Sequence, residues 1–88
     1  MLEKTVTIKN KMGLHARPAA MLVQTASRFK SMIKLFRGDQ EVDGKSIMGL
    51  MTLAASAGSA LRILADGEDE AAAIAALEQL IGDGFGED

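Results

Sequence analysis

The sequence of 88 residues contains no cysteine, tryptophan or tyrosine, and it has a single proline and a single histidine. The lack of cysteine excludes disulfides, thiol catalysis and cysteine-ligated zinc, and it leads us to expect a reducing compartment, the cytoplasm. No apolar run approaches the roughly 18 residues that a membrane span needs, and the alternating N-terminal residues lack the apolar centre of a secretory signal. The length allows one domain, residues 1–88.

The net charge of -2 conceals an uneven distribution of charge along the chain. Residues 1–37 carry eight basic side chains and one acidic one, whereas residues 38–88 carry two basic and eleven acidic side chains. This pattern indicates a dipolar surface that could steer an anionic ligand or an acidic partner. The alternative is that the acidic residues only solvate the C-terminal helix and tail.

Hydrophobic periodicity predicts four strands and three helices in the order β-α-β-β-α-β-α. The predicted strands span residues 5–9, 31–37, 40–42 and 61–65, and the predicted helices span residues 16–27, 47–53 and 68–81. Gly38-Asp39 is a hairpin signal between the second and third strands. This order predicts an α+β fold in which helices cover one face of a sheet.

The sequence also indicates where the last helix ends and which residues form the hydrophobic core. Gly82 is suited to end the last helix, and residues 84–88 are expected to fray. The residues expected to face the core are Val6, Ile8, Ala19, Leu22, Val23, Ala26, Ile33, Leu35, Leu61, Ile63, Ala65, Ile74, Leu77 and Ile81.

The only histidine, His15, lies directly before the predicted first helix, whose first turn contains Arg17 and Pro18. The first amides of a helix have no intrahelical partner, and together with the helix dipole they favour an anion beside the imidazole. The dipole disfavours imidazolium, so we expect a neutral ring near pH 7 that is nucleophilic toward phosphorus. Arg17 could bind the same phosphoryl group with its planar guanidinium. The alternative is that His15 is only a cap or a surface residue.

Other chemistries find less support in the sequence. One histidine without cysteine forms no metal-ligand cluster, so we expect no metal, and nothing indicates a cofactor. No spacing ties any serine to His15, which argues against a hydrolase triad. The basic N-terminal half would suit a nucleic-acid-binding module, but the acidic total and only three phenylalanines argue against one.

Ser46 stands at the expected N-cap of the short helix predicted over residues 47–53. Leu50 and Leu53 are spaced to face the sheet. The same spacing leaves three large apolar side chains outside or on the rim: Ile47, Met48 and Met51. Exposed methionines favour a partner-binding surface, because they adapt to varied shapes. The alternatives are that these side chains pack into the core and that Ser46 is a plain cap.

Two segments resemble the signatures of a known family. Gly13-Leu14-His15-Ala16-Arg17-Pro18-Ala19 resembles the active-site signature of HPr, the histidine-containing phosphocarrier of the bacterial phosphotransferase system. Lys45-Ser46-Ile47-Met48-Gly49-Leu50 matches the second signature of that family. The resemblance covers essentially the whole chain. It implies an open-faced β-sandwich, with a four-stranded antiparallel sheet and three helices on one face.

The resemblance also implies roles for individual residues. His15 would be phosphorylated through Nδ1, and Arg17 would stabilise the phosphoryl group. From the helix start alone, we expect the backbone amides of Ala16 and Arg17 to bind the phosphoryl group as well. Ser46 matches the regulatory serine that HPr kinase/phosphorylase phosphorylates in many bacteria. The implied partner-binding surface consists of Ala20, Ile47, Met48 and Met51.

A family member of this kind is implied to be a monomeric, stoichiometric carrier and not an enzyme with its own turnover. It would take its phosphoryl group from enzyme I, with phosphoenolpyruvate as the ultimate donor, and pass it to enzyme II A-type domains for sugar uptake and regulation. Residues 10–13 and 84–88 resemble instead NPr, the paralogue of the nitrogen-linked system, whereas residues 45–49 resemble the sugar-linked form. Met12 replaces a small polar residue that many relatives have in this loop.

Overall fold

The computed structural model describes residues 1–87 and contains strands, helices and one short 3-10 turn. The strands are β1 (Leu2–Thr7), β2 (Met32–Arg37), β3 (Gln40–Asp43) and β4 (Ala60–Asp66). The helices are α1 (Ala16–Ala26), α2 (Ile47–Thr52) and α3 (Glu70–Gly82), and the 3-10 turn spans Gly84–Gly86. Within this part of the chain, no helix combines the length and apolarity that crossing a membrane requires.

The four strands form one sheet in the order β1-β4-β2-β3, and every neighbouring pair is antiparallel. β2 and β3 join through the predicted two-residue turn, since Arg37 pairs with Gln40 across Gly38-Asp39. The three helices cover one face of the sheet, and the other face is open. The predicted α+β open-faced sandwich is therefore confirmed.

The hydrophobic core lies between the sheet and the helices, where the predicted spacing places it. Val6 and Val23 are half-buried and pack against this core. Burying one leucine or isoleucine side chain contributes about 1.5–3 kcal/mol, so this layer dominates the stabilisation of the fold. The predicted core residues that are buried are Ile8, Ala19, Leu22, Ala26, Ile33, Leu35, Leu61, Ile63, Ala65, Ile74, Leu77 and Ile81.

The first strand begins and ends earlier than its alternation predicts. β1 covers Leu2–Thr7, because it pairs with β4 from Leu2 opposite Ala65 to Thr7 opposite Ala60. Ile8 lies beyond the strand but stays buried, and its amide donates to the Ser59 carbonyl at 2.9 Å. The strand partner, not the local alternation, sets these ends.

The expectation that the C-terminal residues fray is wrong for the part of them that the structure describes. Gly84–Gly86 forms an ordered turn, and the Phe85 side chain is only 2% exposed. The chain reverses at Gly84, with φ of 64°, and not at Gly82, which is still helical. Burial of the Phe85 ring explains the order, because it supplies apolar contact that a free tail lacks. Asp88 lies outside the described residues.

Candidate functional site

His15 is the N-cap residue of α1 and has an extended backbone, with φ of -82° and ψ of -171°. The first intrahelical hydrogen bond joins the Ala19 amide to the His15 carbonyl at 3.0 Å. The amides of Ala16 and Arg17 come before it and have no acceptor within the helix. The His15 side chain does not cap them, and it is 37% exposed. An accessible imidazole therefore stands beside the positive end of a helix.

The loop before His15 is held by contacts with the segment after α2. The Leu14 amide donates to the Ala55 carbonyl at 2.8 Å, and the Gly13 amide donates to the Asn10 carbonyl at 3.1 Å. Gly13 has a φ of 68°, and a Cβ atom there would lie 2.4 Å from the Ala55 oxygen. Only glycine fits this conformation and this close approach. The loop is therefore a fixed support from which the imidazole projects.

An acidic side chain directly after the Gly84–Gly86 turn contacts the histidine. Oε2 and Oε1 of Glu87 lie 3.0 and 3.2 Å from Nε2 of His15. Asn10 is only 1% exposed, and its Nδ2 donates to Oε1 of Glu87 at 2.9 Å and to the Gly13 carbonyl at 2.7 Å. One buried amide thus ties the C-terminal turn to the loop that carries His15.

The groups around Glu87 favour its ionised form. The hydrogen bond from Asn10 lowers the pKa of the Glu87 carboxyl below its ordinary value, against the opposing effect of desolvation, and the charges of His15 and Arg17 lower it further. The neutral state of His15 expected from the helix dipole stays a prediction. Arg17 itself is exposed at the start of α1. In residues 1–87 no three His, Cys, Asp or Glu side chains cluster in a way that could hold a metal ion.

The α2 helix has the cap and the two faces that its sequence predicts. Oγ of Ser46 accepts a hydrogen bond from the Gly49 amide at 3.1 Å. Leu50 and Leu53 are fully buried. Three apolar side chains of this helix are exposed by 43%, 78% and 45%, respectively: Ile47, Met48 and Met51.

This exposed apolar face lies on the helix layer that carries His15, because α2 packs against α1. Ala20, on the second turn of α1, is half-buried. Met12, in the loop before His15, is 73% exposed and adds a further apolar side chain to the accessible surface. The structure thus leaves the expected partner-binding side chains on the surface, or partly so.

Two residues at the site, Asn10 and Glu87, were absent from the set that the sequence indicated. Asn10 lies in a predicted loop, and Glu87 lies in the segment for which the sequence predicts fraying. The one local signal is Gly84-Phe85-Gly86, in which two glycines flank an apolar ring. That pattern permits a left-handed turn anchored by the ring, and all three residues have positive φ.

Comparison with known proteins identifies the family. A family model described as "PTS HPr component phosphorylation site" matches residues 2–83. The phosphocarrier protein HPr of Treponema pallidum (strain Nichols) is 50% identical over 88 residues, which cover 100% of both chains.

Two solved structures from Thermoanaerobacter tengcongensis are also similar to this chain. HPr-C-His has a TM-score of 0.96 and 52% identity, with coverage of 100% of this chain and 99% of that one. A crystal structure of an HPr dimer has a TM-score of 0.80 and 53% identity, with coverage of 99% and 100%. With a matching family model and full-length relatives at about half identity, the chain belongs to the HPr family of phosphocarriers of the phosphotransferase system.

Proposed function

We propose that this chain carries phosphoryl groups on Nδ1 of His15, accepting them from enzyme I and yielding them to enzyme II A-type domains. The observation that supports this most directly is the position of the imidazole, accessible at the N-cap and next to two amides without an acceptor in the helix. In this proposal residues 1–88 act as one stoichiometric carrier domain in the cytoplasm, recharged in every cycle.

The chemistry of transfer requires positioning and modest stabilisation of charge. The amides of Ala16 and Arg17 and the positive end of α1 favour the negative phosphoryl group, and the Arg17 guanidinium can contact it from solvent. Each such exposed interaction contributes on the order of 1 kcal/mol or less. Stabilisation of this size suits a carrier, because tighter binding of the phosphoryl group would hinder its release to the next protein.

The proposed docking surface is the apolar face of α2 together with the neighbouring part of α1. Its members are Ala20, Ile47, Met48 and Met51. Exposed methionines can pack against differently shaped partners, which a carrier with a donor and several acceptors requires. The proposed working form is the monomer. Light scattering of the purified protein tests this form against the dimer known for the Thermoanaerobacter protein.

Phosphorylation of His15 is tested by incubating the protein with enzyme I and labelled phosphoenolpyruvate. We expect an acid-labile, base-stable phosphate that is absent from His15→Ala. A label that persists in His15→Ala, or no label on the parent protein, would contradict the proposal. Running the sugar-linked and nitrogen-linked forms of enzyme I in parallel separates an HPr role from an NPr role. Faster phosphorylation by the sugar-linked form indicates HPr, and faster phosphorylation by the nitrogen-linked form indicates NPr.

We further propose that phosphorylation of Ser46 regulates the carrier. A phosphate at this cap adds a charge of about -1.5 to -2 at the edge of the apolar face of α2, and a helix N-terminus tolerates it. The Ser46→Asp variant should therefore keep its fold and accept phosphate from enzyme I more slowly, by about tenfold. The matched variant Ser46→Asn keeps a good cap without the charge. Equal rates for Ser46→Asp and the parent protein would reject the regulatory role.

A further inference from the structure

The contact between Glu87 and His15 indicates a further role in phosphoryl transfer, and this inference rests on the proposed function. We propose that Glu87 is a positioning residue, whose carboxylate holds the proton of the His15 ring on Nε2 so that Nδ1 presents its lone pair to phosphorus. Both carboxylate oxygens lie within 3.2 Å of Nε2. Nδ1 makes no hydrogen bond with any group in residues 1–87.

The geometry decides between the two neutral forms of the ring. A carboxylate is only an acceptor when it is ionised, so the nitrogen facing it must be the one that carries the proton. The Asn10 amide keeps Glu87 in this state, since it donates to Oε1 at 2.9 Å from a buried position. The neutral imidazole then has its proton on Nε2 and its nucleophilic electron pair on Nδ1.

The transfer step balances without the movement of a proton. The Nδ1 lone pair forms the bond to phosphorus, and the bond between phosphorus and the donor protein breaks, with its electron pair leaving on the donor atom. The ring keeps its Nε2 proton and becomes a phosphorylated imidazolium, whose positive charge faces the Glu87 carboxylate. When the phosphoryl group passes to an acceptor, the electron pair returns to Nδ1. Glu87 therefore stabilises the loaded ring, and release leaves the same Nε2-protonated tautomer ready for the next loading step.

The arrangement also fixes the direction of the ring. Asn10 bonds both Glu87 and the Gly13 carbonyl, so the carboxylate and the loop before His15 are held in one network. The contact between the held carboxylate and Nε2 restricts the rotation of the imidazole, in the same way that a carboxylate orients the histidine of a serine protease. The nearby charge of Arg17 acts on Glu87 as well, and this guanidinium remains exposed for the phosphoryl group.

The Glu87→Gln variant provides the sharpest test, because it reverses the hydrogen bond. With Asn10 still donating to the amide oxygen at position 87, the amide nitrogen faces His15 and donates to Nε2. The ring proton must then move to Nδ1, which removes the nucleophilic pair. The Glu68→Gln variant makes the same chemical change on an exposed side chain of the loop before α3 and serves as the control.

The first readout is the pair of ¹⁵N chemical shifts of the His15 ring at about pH 9, well above the usual pKa of histidine. The parent protein and Glu68→Gln should show a protonated Nε2 and an unprotonated Nδ1, and Glu87→Gln should show the reverse. A parent protein with its proton on Nδ1, or a Glu87→Gln variant with unchanged shifts, would overturn the proposal. This readout involves no phosphoryl transfer.

The second readout is the initial rate of phosphorylation by enzyme I. Glu87→Gln should be at least about tenfold slower, a modest effect beside the loss caused by a wrong imidazole tautomer in serine proteases. Glu68→Gln should match the parent protein. If the parent protein is labelled on His15 and Glu87→Gln is labelled just as fast, the positioning role is wrong and the carrier function stands. If the parent protein is not labelled at all, the carrier function itself fails.

Discussion

Ala54 has a left-handed backbone with φ of 50°, although it is not glycine. It lies just after α2, where its amide donates to the Met51 carbonyl at 3.2 Å. A residue with a Cβ atom pays about 1–2 kcal/mol in this conformation, whereas glycine adopts it freely. Replacing Ala54 by glycine should therefore raise the free energy of unfolding by about 0.5–1 kcal/mol, after the extra entropy of glycine in the unfolded chain is subtracted.

Urea denaturation of Ala54→Gly measures this effect. Ala57→Gly in the same loop is the matched control, because Ala57 is exposed and does not have positive φ. The control should lower the stability by up to about 1 kcal/mol, since it adds only unfolded-state entropy. A loss of the same size in Ala54→Gly would show that the left-handed position is not strained.

Asp69 joins two elements that are distant in sequence. It lies directly before α3, and its carboxylate accepts hydrogen bonds from the amides of Lys30 and Ser31 at 2.9 and 3.0 Å and from the Ser31 hydroxyl. The start of α3 is thereby tied to the turn that leads into β2. The Ser31 hydroxyl, followed by the Lys30 amide, lowers the pKa of Asp69 below its ordinary 3.8.

This contact should make the stability depend on pH in the acid range. Because the pKa of Asp69 is lower in the folded chain, its stabilisation is complete above about pH 4 and is lost as the pH falls through the lowered value. Thermal unfolding followed from neutral pH downward should show this loss in the parent protein. In Asp69→Asn the neutral-pH stability should already be lower and the acid-range slope smaller, while Asp39→Asn in the hairpin turn should behave as the parent does. Parallel slopes for Asp69→Asn and the parent would refute the assignment.

Elements with strong local signals could be predicted from sequence almost to the residue. The start of α1 follows from Pro18 in its first turn and the helical spacing of Ala19, Leu22 and Ala26. The hairpin between β2 and β3 follows from Gly38-Asp39. The ends of β1 could not be predicted in this way, because the register with β4 determines which residues pair.

The residues of the site also divide into those that local sequence predicts and those that depend on long-range contacts. His15, Arg17 and Ser46 lie within short motifs at helix starts, so local chemistry and family resemblance both indicate them. Glu87 is 72 positions from His15 along the chain. Their contact depends on the path of the whole C-terminal segment, which no local period encodes. The buried Asn10 bonds across 77 positions for the same reason.

At the scale of the whole molecule, the C-terminal turn closes the structure over the loop that carries the histidine. The acidic half of the chain thereby supplies the carboxylate that meets the one imidazole of the basic half. Gly84, Phe85 and Gly86 are consecutive left-handed residues. The glycines adopt this conformation freely, whereas Phe85 is strained in it and keeps it only when contacts hold the residue in place. The buried Phe85 ring supplies those contacts, and we expect it to be the anchor that places Glu87 against His15.

Removing this anchor should therefore affect stability and the site together. Phe85→Ala should lower the free energy of unfolding in urea by about 3 kcal/mol, because the buried ring and its apolar contacts are lost. The released turn should also free the His15 ring, so that its ¹⁵N shifts approach those of an unrestrained imidazole. Phe85→Leu keeps an apolar side chain, and its loss of stability should stay below about 1.5 kcal/mol with the ring shifts retained. If Phe85→Ala unfolds at the same urea concentration as the parent protein, Phe85 is not the anchor; if it unfolds earlier but keeps the parent ring shifts, Glu87 reaches His15 without the turn.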